Sequence, residues 1–149
     1  SFPGSTIQIQ ERAFQQMLVS SLIIPNVSHI GTEAFFCCSK LTNIDVNAMV
    51  IDELAFTRCD NLTNVTLGED ILSIGEKAFN RDSDSCPPLN VYIKATTPPS
   101  LGEYAFYDRC DGALIFPNIK IYVPIESVDE YKSNSQWYDW KNYIYGYEF

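Results

Sequence analysis

The chain is predicted to fold as a solenoid of about five stacked repeats, made mostly of short β-strands and turns. The dipeptide Ala-Phe recurs five times in 149 residues, and the spacings between its phenylalanines are 21, 21, 23 and 27. A period of this size is the sequence signature of a repeat architecture. The residues around each pair repeat as well, which disfavours a chance recurrence. The five phenylalanines are Phe14, Phe35, Phe56, Phe79 and Phe106.

The three central copies show the shared columns most clearly. They read IGTEAFFCCSKLTNIDV from Ile30, IDELAFTRCDNLTNVTL from Ile51 and IGEKAFNRDSDSCPPLNVYI from Ile74. Each copy begins with isoleucine, reaches Ala-Phe at its fifth and sixth positions and ends in an alternating apolar segment. Copies from Ile9 and from Leu101 keep this order, the latter with an insertion. Residues 1–124 are therefore predicted to form about five repeats of 21–27 residues.

The end of each repeat predicts a strand with one buried face. In the second copy Ile44 and Val46 point to the same side, and Asp45 points to the other. One repeat cannot bury this face alone, whereas stacked repeats pair strand on strand around a continuous core. The repeated phenylalanine fills that core, and the alanine before it leaves room for a close turn.

Glycines and cysteines also occupy fixed columns. Gly31, Gly75 and Gly102 suit a backbone site with positive φ, where Asp52 is a tolerable substitute. Cysteines on one column are predicted to be free and buried, because parallel Cβ vectors about 4.8 Å apart exceed the usual disulfide spacing. These cysteines are Cys38, Cys59, Cys86 and Cys110. Cys37 lies off the column and is the candidate reactive thiol.

The outward-facing strand residues form the candidate binding face. One ladder begins at Ile23 and a second begins at Ser21, two positions earlier. Tyr92 and Tyr122 lie on adjacent coils of the first ladder, and exposed tyrosine is enriched at binding sites. Alternatively, these two rings pack against each other or against the cap. The candidate binding residues are Asn43, Asp45, Asn64, Thr66, Asn90, Tyr92, Lys120 and Tyr122.

Residues 125–149 are predicted to form a small helical cap over the last coil. Ser127 and Glu130 match a capping box. The favoured interpretation of the two tryptophans is a hydrophobic lid, and the alternative is a carbohydrate-stacking platform. Helical spacing continues through Trp137, Trp140 and Ile144. No equivalent cap precedes the first repeat, so we expect either upstream repeats or an irregular first coil.

The repeat resembles the BspA-like, Treponema-type leucine-rich repeat, whose units carry I-G-x-x-A-F, then C-x-x-L, then I-x-I-P. The resemblance covers about residues 7–124, and the tail IYVPIESVDEYKSNSQWYDWKNYI is similar to the family's usual ending. It implies a leucine-rich-repeat solenoid, horseshoe-like, with a small helical C-terminal cap. It also implies a non-catalytic adhesion module of a bacterial cell-surface or secreted protein. Insertions in the last two copies indicate the terminal part of an array.

The expected partner is a host-matrix or cell-surface protein, recognised through the strand face, and a monomer is expected. The alternative is a carbohydrate-binding accessory protein that uses exposed tyrosine or tryptophan. Nucleic acid is disfavoured because the net charge is −9 and ten basic residues form no cluster. Membrane insertion is also disfavoured, since no apolar run approaches the roughly 18–20 residues that a spanning helix needs.

No enzyme, cofactor or metal site is expected. The single histidine, His29, has no catalytic signature around it. Asp82 and Asp84 could contribute to a Ca²⁺ site, but the EF-hand pattern is absent and a solvated loop is the favoured interpretation.

Overall fold

The computed structural model describes residues 7–83, 85–110, 113–115 and 118–149. Within these residues the chain forms eleven strands, one α-helix and two 3-10 helices. The strands are β1 (Gln8–Ile9), β2 (Ser21–Ile30), β3 (Asn43–Ile51), β4 (Asn64–Leu67), β5 (Ser73–Ile74), β6 (Leu89–Ile93), β7 (Ser100–Leu101), β8 (Asp108–Cys110), β9 (Ala113–Ile115), β10 (Ile119–Pro124) and β11 (Ile144–Tyr147). The helical segments are Ile125–Ser127 (3-10), α1 (Val128–Ser133) and Ser135–Tyr143 (3-10).

Nine of these strands make one parallel sheet, ordered β1-β2-β3-β4-β6-β10-β11, with β5 beside β3 and β7 beside β5. Equivalent residues of successive coils pair directly: Ile44 with Val65, Val65 with Val91, and Val91 with Ile121. All four side chains are buried. The predicted leucine-rich-repeat solenoid is confirmed. The remaining described strands, β8 and β9, form a separate antiparallel hairpin.

The repeated phenylalanines stack through the interior. Ring centroids of neighbours are 4.9 Å apart for Phe35 and Phe56 and 5.1 Å apart for Phe56 and Phe79, with planes within 5° of parallel. Phe14 and Phe106 end the column at 5.4 Å from their neighbours. One side chain per coil, repeated in register, thus makes a continuous aromatic spine.

The glycine column has a different cause from the one predicted. None of its glycines adopts a φ in the left-handed region; a Cβ on Gly75 would instead lie 2.4 Å from the backbone nitrogen of Glu53. On Gly102 it would lie 2.3 Å from that of Glu76. Close approach between coils, not positive φ, therefore requires glycine here. Positive φ falls two positions later in each coil, at Arg12, Glu33, Leu54, Lys77 and Tyr104.

The cysteine column extends over only two coils of the described core. Cys38 and Cys59 are fully buried and free, as predicted. Cys86 is only half-buried, because the insertion before it carries it away from the interior. The third coil instead buries the side chain of Arg81 completely. The side chain of Cys110 lies outside the described part of the chain.

The cap covers the last coil as a hydrophobic lid. Trp137 is fully buried and its Nε1 donates to the carbonyl of Pro99 at 2.8 Å; Trp140 is 3% exposed. Tyr131, also buried, donates its hydroxyl to the carbonyl of Ala95 at 2.8 Å. The carbohydrate-platform interpretation of the tryptophans is therefore wrong, because their faces are covered. The predicted capping box is also wrong: Ser127 makes no capping hydrogen bond.

The end of the chain returns to the sheet, which the helical spacing did not predict. Ile144 begins β11, and Ile144–Tyr147 pairs in parallel with Ile121–Pro124 of β10. The open edge of β10 supplies the hydrogen-bonding partners for this strand, and that edge exists only once the coils have stacked. None of the helices in the described residues is both long and apolar enough to cross a membrane.

Candidate binding face

The structure brings the predicted outward ladder together across five adjacent strands. Asp45 pairs with Ile23 on one side and Thr66 on the other, and Tyr92 pairs with Thr66 and with Tyr122. β11 adds a sixth position, because Tyr145 pairs with Tyr122. The residues thus share one face of one sheet.

The second ladder is largely satisfied by contacts within itself. The amide of Asn64 donates to Oδ1 of Asn43 at 2.8 Å, and the amide of Asn90 donates to Oδ1 of Asn64 at 3.3 Å. Lys120, paired with Asn90, is exposed. These asparagines therefore link neighbouring coils. Part of their hydrogen-bonding capacity is used within the ladder, although the sequence predicted them as residues that bind a partner.

The aromatic end of the face is larger than predicted. Tyr92 and Tyr122 stack with centroids 4.8 Å apart and planes 12° from parallel. Tyr147 meets both rings edge-on, at 5.5 Å and 5.8 Å. Tyr145 lies 6.0 Å from Tyr122, and Phe149 lies 4.9 Å from Tyr147. We call these five residues the tyrosine cluster.

Three members of the tyrosine cluster were not among the binding residues predicted from the sequence. Tyr145, Tyr147 and Phe149 are 46%, 43% and 52% exposed and come from the segment after the cap helices. Their period-two spacing could have predicted this position, because aromatic residues at every second position of a strand share one face. The sequence analysis instead extended the helical spacing of the preceding residues through Ile144, which is the first residue of this strand.

The tyrosine cluster consists of four phenol rings and one phenyl ring. Burial against its neighbours, followed by the proximity of Tyr122 and Tyr147, raises the pKa of Tyr92 above that of a free phenol. Asp45 and Lys120 bring one charge of each sign to the flanking strands, and both are exposed. The face therefore has an aromatic end beside a polar stretch.

His29, Asp82 and Cys37, the candidate catalytic, metal-binding and reactive residues of the sequence analysis, make contacts that stabilise the fold or are partly buried. Nε2 of half-buried His29 lies 2.6 Å from Oδ2 of Asp52 on the next coil. Asp82 pairs with Arg58 at 3.7 Å; Asp84 lies outside the described residues. Burial raises the pKa of the Cys37 thiol, which lowers its thiolate fraction at neutral pH.

No group of three or more histidine, cysteine, aspartate or glutamate side chains within the described ranges could hold a metal ion. The contacts of His29 and Asp82 instead join side chains of successive coils. They add cross-coil pairing to the backbone ladder.

Comparison with known proteins agrees with the repeat architecture. No curated protein matches the chain. The model of the BspA type leucine-rich repeat region matches residues 1–112 in six copies, one more than the Ala-Phe pairs suggest. That match spans most of the chain and contains the stacked phenylalanines, the close-approach glycines and four of the ladder strands. The chain belongs to the BspA-type leucine-rich repeat family.

Proposed function

We propose that the chain is a non-catalytic binding module of a bacterial cell-surface or secreted protein, and that it recognises a protein through the exposed strand face. The observation that carries this proposal is the tyrosine cluster at the C-terminal end of that face. Family membership supports it, since BspA-type repeats generally mediate protein–protein and adhesion interactions and are typically non-catalytic.

The tyrosine cluster has the composition of a protein-recognition hot spot. Tyrosine offers a large contact area with only two side-chain torsions and keeps a hydroxyl for hydrogen bonding. All four of its tyrosines lie on the paired strands β6, β10 and β11, which hold the rings in place before a partner arrives. Such preorganisation lowers the entropy lost on binding.

Ring geometry favours a protein over a sugar as the partner. A stacked sugar needs a free aromatic face, but Tyr92 and Tyr122 cover each other at 4.8 Å and Tyr147 stands edge-on to both. What remains is a broad aromatic surface, on which Tyr145, Tyr147 and Phe149 are 46%, 43% and 52% exposed. A protein surface complements such a shape through many small contacts.

A parallel screen against host-matrix proteins, bacterial surface proteins and a glycan array tests the proposal. For any protein that binds, the double variant Tyr145→Ser/Tyr147→Ser should weaken Kd by about ten-fold or more. The matched control is Tyr138→Ser, because Tyr138 is 58% exposed and lies on the cap instead of the strand face.

Binding to glycans alone, abolished by the double variant, would replace the protein partner with a carbohydrate. Hydrolysis of a glycan by the pure protein would contradict a binding-only role. Protein binding that survives the double variant unchanged would move recognition away from the tyrosine cluster.

A further inference from the structure

A concave surface lies between the turn of the last coil and the cap. None of its residues belongs to the tyrosine cluster. Its volume is about 350 Å³. That is near the lower limit for ligand pockets, so it suits one side chain better than an extended ligand. The residues that matter are Glu103, Tyr104, Tyr107, Asp139 and Trp140. We call it the cap groove.

The aromatic walls of the cap groove meet at right angles. The rings of Tyr104 and Tyr107 are 5.3 Å apart with planes at 89°, and those of Tyr107 and Trp140 are 5.3 Å apart at 81°. The face of an aromatic ring carries negative potential, and a cation within about 6 Å of the centroid is attracted to it. A corner of this kind suits a compact cation, whereas a sugar would stack on one flat ring.

Two exposed carboxylates stand in the same groove. Glu103 and Asp139 are exposed, and neither forms an ion pair with a lysine, arginine or histidine in the described part of the chain. Asp139 lies near enough to Tyr107 to add to the rise that burial causes in the pKa of that phenol. The groove is therefore a site of negative potential on a chain whose net charge is −9.

The neighbouring coil shows that the aromatic wall already accommodates an ammonium group. Nζ of Lys77 lies 5.8 Å from the centroid of Tyr104, and the charge of Lys77 is matched by Glu76 at 2.6 Å. Glu76 and, more weakly, Glu103 raise the pKa of Lys77, so Lys77 balances part of their charge. Asp139 forms no ion pair in the described part of the chain. Because Gln136 of the cap accepts a hydrogen bond from the backbone of Leu101 at 3.2 Å, the two walls are tied together.

We infer that the cap groove binds the cationic end of a lysine or arginine side chain presented by a protein partner. The exposed ring of Tyr104 and the half-buried ring of Tyr107 supply cation–π contacts, and the two carboxylates supply charge and hydrogen-bond acceptors. A phosphate or other anion would be repelled by those carboxylates, and a neutral sugar would leave them uncompensated. The inference does not depend on the strand face.

Calorimetric titration of the whole chain with small model compounds tests the assignment. The probes are Nα-acetyl-lysine methylamide and Nα-acetyl-arginine methylamide, and the neutral control is the same lysine compound acetylated on Nε. We expect saturable binding of the two cations, no binding of the neutral control, and weaker binding when salt rises from about 0.15 M to about 1 M.

Conservative variants locate the binding. Glu103→Gln with Asp139→Asn should weaken cation binding about ten-fold, and Tyr104→Asn should weaken it about 3- to 30-fold, the range of a cation–π contact. Asparagine tolerates the positive φ of 56° at position 104. Matched controls are Tyr138→Ser and Glu126→Gln, which lie outside the groove and should change nothing. Thermal melting of each variant verifies that it is folded.

Several outcomes would overturn the inference. One is equal binding of the neutral control, and another is unchanged affinity in the Glu103→Gln/Asp139→Asn variant. Tighter binding to phosphatidylcholine vesicles than to the lysine and arginine compounds would assign the groove to a lipid headgroup instead. The Tyr145→Ser/Tyr147→Ser variant should bind the cations normally, which separates this test from that of the strand face.

Discussion

Arg81 and Asp108 form a bidentate salt bridge inside the solenoid, with Nε 2.8 Å from Oδ1 and Nη2 2.8 Å from Oδ2. Both side chains are almost completely buried. Nη1 of Arg81 also donates to the carbonyls of Leu62 and Pro87, at 2.9 and 2.7 Å. Although burial raises the pKa of Asp108, the two bonds from Arg81 act in the opposite direction. The pair ties the third coil and its insertion to the fourth.

Removal of one partner should be far more damaging than removal of both. Arg81→Met leaves a buried carboxylate without its counter-ion, and we expect a loss of about 3–5 kcal/mol in the free energy of unfolding. Arg81→Met with Asp108→Leu should recover much of that loss, because no buried charge remains. Urea denaturation followed by tryptophan fluorescence measures both. As a control, Arg58→Met removes the exposed pair with Asp82 and should cost less than about 1 kcal/mol.

Gly75→Ala tests the close approach between coils. The new methyl group would meet backbone atoms of Asp52 and Glu53 at 2.4–2.5 Å, so the coils must separate locally. We expect a loss of about 1–3 kcal/mol in the free energy of unfolding, the usual range for overpacking. Gly146→Ala is the matched control, because its nearest neighbour is a side-chain atom of Ile125 at 3.0 Å. Equal melting temperatures for the two variants would contradict this account.

The phenylalanine spine should be most sensitive at its centre. Phe56 is fully buried and stacked on both sides, so Phe56→Ala should destabilise the fold by about 3–5 kcal/mol. Phe14 is 43% exposed and stacks on Phe35 alone among the described residues, so Phe14→Ala should cost about half as much. Chemical denaturation of the two variants compares them. A larger effect at Phe14 would show that the N-terminal end governs stability.

Alkaline pH should loosen the cap through Tyr131. Burial raises the pKa of Tyr131 above its value in the unfolded chain, so the unfolded state loses this proton first as pH rises. The contribution of Tyr131 is complete below about pH 10 and then falls by up to about 1.4 kcal/mol per pH unit until the raised folded pKa is reached.

The variant Tyr131→Phe separates this effect from general alkaline denaturation. It loses the hydrogen bond to Ala95, about 1 kcal/mol near neutral pH. Its stability should then decline less steeply above pH 10 than that of the wild type, as measured by urea denaturation across the alkaline range. Parallel declines would show that other tyrosines dominate.

Sequence periodicity alone predicts the repeat, the strand that ends each coil and the residues that share a ladder. Equivalent positions of stacked coils must become neighbours, so the pairing of Tyr92 with Tyr122 follows from counting. The same logic predicted the buried Cys38 and Cys59. These features depend on local periodicity and on the register between adjacent coils, which a sequence displays directly.

Features that depend on one particular contact became visible only in the folded chain. Arg81 and Asp108 are 27 positions apart, and neither occupies a repeated position of the motif from which their pairing could be predicted. Tyr145 and Tyr147 join the binding face because β10 offers an open edge after the coils have stacked. The glycine column reflects the distance between backbones, and the cap groove exists only where two elements meet. Such contacts join positions that are not equivalent in the repeat. They depend on how coil and cap pack in three dimensions, which the periodicity of the sequence does not specify.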